Sequence, residues 1–100
     1  MNVAREDELV SGLTIAAGQV THCSICGACL RPNHRIEVLV DCEPERPQVV
    51  VRRCRACARG SIRPETRRDC LVARGRVLGV VGPDGHSKLI LSSASVIDRS

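Results

Sequence analysis

Two Cys-x-x-Cys pairs constrain the fold of this chain more than any other feature of the sequence. Cys23 and Cys26 form the first pair, and Cys54 and Cys57 form the second, with 27 residues between the pairs. Four thiolates delivered in this way can occupy the corners of one tetrahedron, which is the geometry of a closed structural Zn²⁺ site. The sequence therefore predicts one structural zinc ion bound by four cysteines.

The composition makes such a site important for folding. The chain has 100 residues and no Phe, Tyr or Trp, so its core consists of smaller side chains that bury less apolar surface. A core of this kind needs further stabilisation, which metal binding supplies as folding free energy. We expect a single zinc-finger domain over residues 1–100, with a zinc-binding core at 20–65 and a C-terminal hairpin at 70–97.

The cysteine count and the N-terminal residues point to a reducing compartment. Seven cysteines are an odd number, and the charged start, MNVAREDELV, has no apolar region typical of a signal peptide. Both features argue against a disulfide framework. The longest apolar runs are far shorter than the roughly 20 residues that cross a bilayer. The sequence thus predicts a cytoplasmic protein without a membrane partner.

The first cysteine pair has an alternative, because Cys29 lies three residues after Cys26. In CSICG, Gly27 follows the second cysteine and can adopt positive φ, so that backbone N–H groups turn toward the sulfurs. The competing pair, Cys26 with Cys29, is followed by Leu30 and lacks that turn. An iron–sulfur cluster remains an alternative, because C-x2-C-x2-C also begins such sites. The predicted ligands are Cys23, Cys26, Cys54 and Cys57.

The remaining cysteines and histidines have simpler interpretations. Cys42 and Cys70 are expected to be buried as small apolar residues, and a second metal site shared with Cys29 is the alternative. His22 flanks the first ligand and could replace a cysteine in the metal shell. The sequence contains no Ser–His–Asp order, paired carboxylates or phosphate-binding Gly loop. We therefore predict no catalytic residue, no small-molecule substrate and no enzymatic activity.

Residue patterns around the cysteines predict an α+β domain that is mostly β. Apolar residues at helical spacing within 4–17 predict a short N-terminal helix. Alternation and β-branched content predict strands at 35–41 and 48–53, joined by the Pro-rich loop CEPERP. Two further strand-like segments, 74–81 and 88–92, flank the turn GPDGHS and predict a C-terminal hairpin.

A knuckle, a β-hairpin and a second Cys-x-x-Cys at the end of the hairpin resemble the treble-clef and zinc-ribbon classes of zinc finger, over roughly residues 20–65. In the treble clef a helix follows the second cysteine pair, and in the zinc ribbon a strand follows it. The segment CRACARGSI before Pro64 is compatible with either class. VVVRRCRACARG is similar to the scaffold of HNH-type nucleases, but the strand RIEVLVDC lacks their catalytic His. The chain also resembles the uncharacterised small zinc-finger proteins of haloarchaea. This last resemblance implies a regulatory or scaffold role without chemistry.

Positive charge is concentrated around the second cysteine pair. Residues 52–76 contain nine arginines and two acidic residues, whereas residues 1–51 contain four arginines and seven acidic residues. Because arginine binds phosphate bidentately, we predict a DNA or RNA backbone as the partner. The alternative is a protein-interaction adaptor with a purely structural zinc site, whose arginines contact an acidic protein. The candidate nucleic-acid-binding residues are Arg52, Arg53, Arg55, Arg59, Arg63, Arg67 and Arg68.

Overall fold

The structure is a computed structural model that describes residues 10–42, 47–60 and 69–99. Within these ranges the chain forms seven β-strands and one 3₁₀ turn, which spans Arg55–Cys57. The strands are β1 (Thr14–Ala17), β2 (Thr21–His22), β3 (Cys29–Leu30), β4 (Arg35–Asp41), β5 (Gln48–Cys54), β6 (Cys70–Val81) and β7 (Ser87–Arg99).

The predicted α+β class is wrong, because the described chain is mostly β-strand and part of the predicted N-terminal helix is itself a strand. Thr14–Ala17, the end of the predicted N-terminal helix, forms strand β1. This segment pairs with strand β7. At its start, Gly12 N donates to Leu91 O at 2.6 Å, and Leu91 N donates to Leu13 O at 2.9 Å. Pairing with a distant strand thus overrides the helical spacing of the apolar residues. Residues 4–9 of the predicted helix lie outside the described residues.

Five strands form one antiparallel sheet in the order β1-β7-β6-β4-β5. The sheet curls until its two edge strands, β1 and β5, come into contact. At this seam Arg52 Nη1 donates to Ile15 O at 3.3 Å. The sheet is therefore nearly closed and resembles a barrel.

The two faces of the sheet are buried in different ways. Leu39 on the outer face of β4 has no solvent exposure and packs with Cys70 and Val72. Strand β4 is thus covered on both sides, which suits its nearly continuous apolar run. The main core lies inside the curl and contains Ile36, Val38, Val40, Leu71, Ala73, Val77, Leu89 and Leu91.

Strands β2 and β3 form a separate two-stranded hairpin, in which Thr21 pairs with Leu30 and His22 with Cys29. Its loop is attached to β5 by two hydrogen bonds. Ser24 N donates to Arg52 O at 2.7 Å, and Arg52 N donates to Ser24 Oγ at 3.0 Å. These bonds place the loop beside the C-terminal end of β5.

Candidate metal centre and the adjacent charged cluster

Four cysteine sulfurs converge between the small hairpin and the end of β5. The Sγ atoms of Cys23, Cys26, Cys54 and Cys57 all lie within 4.8 Å of one another, and those of Cys26 and Cys54 are 3.7 Å apart. A tetrahedron with Zn–S bonds of about 2.3 Å has S–S separations of about 3.8 Å. The four predicted ligands therefore lie close enough to hold one metal ion.

The loop between β2 and β3 presents the first pair. Cys23 N donates to Ala28 O at 2.8 Å, and Gly27 N donates to Cys23 O at 3.0 Å, which closes a tight turn. Gly27 has φ +77°, a conformation that glycine adopts without a Cβ penalty. Ile25 N donates to Cys23 Sγ at 3.4 Å. The turn thus directs a backbone N–H group at the sulfur, as the knuckle motif predicted.

Strand β5 leads directly into the second pair. Cys54 is the last residue of β5, and the 3₁₀ turn that follows it ends at Cys57. This turn returns the Cys57 sulfur to the neighbourhood of the Cys54 sulfur. Cys54 N also donates to Cys23 Sγ at 3.3 Å, which links the two halves of the site. Ala58 is extended and residues 61–68 lie outside the described chain, so the zinc-finger class stays a prediction.

Hydrogen bonding shifts the pKa values of Cys23 and Cys57 in opposite directions. Burial acts to raise the pKa of the Cys23 thiol, but the N–H groups of Cys26, Cys54 and Ile25, with the Cys26 thiol, lower it to about 6. The thiols of Cys54 and Cys26, together with burial, raise the pKa of Cys57 to about 12. Four thiolates around one divalent ion would carry a net charge of about −2. The N–H donors at Cys23 offset part of that charge.

The other cysteines do not join this group. Cys29 is exposed on β3, Cys42 is half-buried, and Cys70 is fully buried. Across residues 10–42, 47–60 and 69–99, the four-sulfur cluster is the group of potential metal ligands that comes together. The structure therefore does not bring Cys29, Cys42 and Cys70 together as a second metal site, and it does not place His22 in the first.

A second cluster forms on the outer face of the sheet, around the fully buried carboxylate of Glu37. Its Oε1 accepts hydrogen bonds from Arg53 Nη1 at 2.8 Å and from Arg59 N at 3.0 Å. Its Oε2 accepts from Gly60 N and Arg74 Nε, both at 3.0 Å. Burial acts to raise the pKa of Glu37, but these four donors outweigh it and hold the pKa below its ordinary value. The ionised carboxylate ties β4 to β5, β6 and the segment after the 3₁₀ turn.

Sequence patterns did not identify this cluster as a site. The available signal was an acidic residue in the middle of the apolar run RIEVLVD, followed by many arginines. A buried acid needs cationic or N–H partners, so the sequence could have predicted an ion pair between Glu37 and one of the arginines. Its partners come from three separate segments, however, and their identity depends on strand register.

The predicted phosphate-binding arginines have different environments. Arg53 is buried against Glu37 and is not accessible to an external ligand. Arg52 is half-buried, and its guanidinium donates to two backbone carbonyl oxygens, at 3.3 and 3.5 Å. Arg55 and Arg59 are exposed. Arg63, Arg67 and Arg68 lie outside the described residues, so Arg55 and Arg59 are the members of the run that the described chain shows exposed.

No protein-family model matches the chain, and neither the curated proteins nor the solved structures contain a match to it. The assignment of a metal centre therefore rests on the convergence of the four sulfurs. Among the described residues, no helix has the length and apolar character needed to cross a membrane.

Proposed function

We propose that the four cysteines bind one Zn²⁺ ion and that this ion has a structural role. The convergence of their sulfurs within 4.8 Å is the observation that supports the proposal. A donor set of four thiolates suits zinc, and four protein ligands leave no open position for a substrate or a reactive water. The ion links the β2–β3 hairpin to the end of β5, and the domain is a non-catalytic binding module of the zinc-finger kind.

Native mass spectrometry and metal analysis of the purified protein test this assignment. We expect one zinc per chain, bound with thiolate ligands that give characteristic visible absorption after substitution by Co²⁺. Because the chain has no Tyr or Trp, its own absorption does not obscure ligand-to-metal bands. Bound iron with a brown colour would instead identify an iron–sulfur cluster, and a metal-free folded protein would contradict both assignments.

The partner that we propose for this module is the phosphate backbone of a nucleic acid. The support is electrostatic: the formal net charge is +4 with neutral cysteines and about +2 once four thiolates hold one Zn²⁺, and Arg55 and Arg59 are exposed beside the metal centre. The chain has no aromatic residue for base stacking, which favours contact with a duplex backbone over recognition of single-stranded bases. A scaffold fixed by metal holds such arginines in place without a large core.

Binding to labelled duplex DNA of mixed sequence, measured by fluorescence anisotropy at several salt concentrations, tests the partner. Each phosphate contact releases counterions, so the logarithm of affinity should fall against the logarithm of salt with a slope of roughly −0.9 per contact. If the zinc-loaded protein binds neither duplex DNA nor RNA at low salt and micromolar concentration, the nucleic-acid proposal is wrong. The alternative function, a protein-interaction adaptor whose arginines contact an acidic protein, would then be favoured.

A further inference from the structure

We propose that a groove on the outer face of the sheet, next to the metal centre, binds phosphates of the nucleic-acid backbone. The inference rests on the proposed nucleic-acid function and places the contact on a set of arginines that shares only Arg55 with the predicted run. The groove has a volume of about 590 Å³, within the range of about 300–1,000 Å³ common for ligand clefts. Its polar walls, called here the arginine groove, include Arg35, Arg55, Arg74, Arg76, Ser93 and Ser95.

The arginine groove has an excess of positive charge. Glu37 also lines it, but that carboxylate already accepts charged hydrogen bonds from Arg53 and Arg74. The side chains of Arg35, Arg55 and Arg76 are exposed, and within the described ranges none of these three forms an ion pair with an acid. Unpaired guanidinium groups around a concave surface attract anions and bind phosphate oxygens bidentately.

One pair of arginines in the groove stands in an unfavourable position in the protein alone. Arg35 on β4 is directly opposite Arg76 on β6 in the antiparallel register. Side chains at directly opposite positions start about 4.5–5.5 Å apart, and like charges there destabilise the sheet. A phosphate between the two guanidinium groups would convert this repulsion into two favourable contacts.

A β-bulge shapes the wall on the side of β7. Gly75 on β6 faces two residues of β7, Ser93 and Ala94, because the register shifts at this point. Ser93 has φ +52°, a region that residues other than glycine rarely occupy. Bulges and strained residues are frequent at ligand sites, where they redirect side chains. Ser93 and Ser95 line the groove, and a serine hydroxyl can donate a hydrogen bond to a phosphate oxygen.

The opposite wall depends on the metal centre. Arg55 and Ala58 line the groove, and both are delivered by the 3₁₀ turn that begins directly after Cys54 and ends at Cys57. A metal ion held by these two cysteines therefore also sets the position of Arg55. The arrangement couples the structural metal to the proposed phosphate contact.

Two double variants with the same loss of charge test the groove. Arg35→Gln with Arg76→Gln removes two cations from the groove, whereas Arg31→Gln with Lys88→Gln removes two exposed cations that flank a different cleft. Affinity of the zinc-loaded protein for a labelled DNA duplex is measured by anisotropy across a salt series. We expect the groove variant to lose about tenfold or more at low salt and its salt slope to fall by about 2. The control should change by less than about threefold.

The outcomes separate the groove from the broader function. If the wild-type protein does not bind the duplex at low salt, the nucleic-acid function is wrong, and the groove proposal falls with it. If the wild-type protein binds and both double variants weaken equally, the attraction is diffuse. The groove proposal is then overturned while the function stands. If the groove variant binds with wild-type affinity, the groove proposal is likewise overturned and the function stands.

Zinc content and thermal unfolding, followed by circular dichroism, check that each variant is folded. Because the Arg35–Arg76 pair is repulsive, the groove variant should melt at a temperature equal to or slightly above that of the wild type. Arg55→Gln supplies a second variant from a separate element, and its exposed side chain lines the same groove. It should lower the salt slope by about 1. If Arg55→Gln binds the duplex with wild-type affinity, Arg55 does not contact phosphate in the groove.

Discussion

The metal centre and the Glu37 cluster lie on opposite sides of the same strand and hold it by different means. Cys54 and Arg53 are consecutive on β5, so their side chains point to opposite faces. Cys54 belongs to the sulfur cluster that joins β5 to the small hairpin. Arg53 joins β5 to β4 through the carboxylate of Glu37.

The difference between the two regions lies in where their charge is balanced. The sulfur cluster is partly exposed, and its four thiolates need a cation from outside the chain. The Glu37 carboxylate has no solvent exposure and obtains all its donors from the chain itself. A metal centre thus stabilises a fold only when it is loaded, whereas a buried ion cluster stabilises it when every internal partner is in register.

Removal of a sulfur should produce the largest effect. Zinc binding contributes about 10–16 kcal/mol in small zinc domains, which is as large as the whole stability of a typical domain, about 5–15 kcal/mol. Cys26→Ser should therefore lose the bound zinc and the cooperative thermal transition, as measured by metal analysis and circular dichroism. Cys29→Ser is a matched control, because Cys29 is also exposed, lies three residues away and is outside the cluster. Loss of zinc in the control alone would show that the metal uses the alternative ligand.

Breaking the buried ion cluster should have the second largest effect. Glu37→Gln leaves the Arg53 guanidinium buried without a carboxylate, and loss of one partner of a buried ion pair costs about 3–5 kcal/mol. Urea unfolding followed by circular dichroism measures this change, and the variant should still bind one zinc. Asp84→Asn is the control, since Asp84 forms an exposed pair with His86 and its removal should be almost neutral. A loss below about 1 kcal/mol for Glu37→Gln would show that the cluster does not stabilise the fold.

Replacing one glycine in each region by alanine should have the smallest effect, a loss of about 1 kcal/mol in the free energy of unfolding. Gly27 in the cysteine loop and Gly60 beside Glu37 have φ of +77° and +70°. A Cβ at Gly27 meets nothing within 4 Å, whereas at Gly60 it would lie 3.2 Å from Arg74 Nη2. Gly27→Ala should therefore cost only backbone strain, and Gly60→Ala slightly more, because the Arg74 guanidinium beside Glu37 must shift by a few tenths of an ångström. Thermal unfolding of the two zinc-loaded variants gives the order, and a reversed order would contradict this account of Gly60.

Local sequence was sufficient to predict the four candidate ligands and the turns that present them. The spacing of each Cys-x-x-Cys pair, together with Gly27 after the first, determines a tight turn that presents two sulfurs. The strands at Arg35–Asp41 and Gln48–Cys54 also follow from local β-branched content. Short-range geometry controls each turn and each strand, whereas the convergence of the two cysteine pairs depends on the bonds that attach the β2–β3 loop to the end of β5.

Tertiary structure alone decided the N-terminal segment and the roles of the arginines. Thr14–Ala17 joins β7 because hydrogen bonds to an existing strand outweigh the weak preference of a short apolar stripe for a helix. Arg53 and Arg55 look equivalent in the sequence, yet one is buried against Glu37 and the other is exposed on the groove. The environment of a charge depends on the strands that approach it from elsewhere in the chain. Sequence therefore determined which residues could bind a metal, and only the packing of β4, β5 and β6 determined which arginines remain available to a partner.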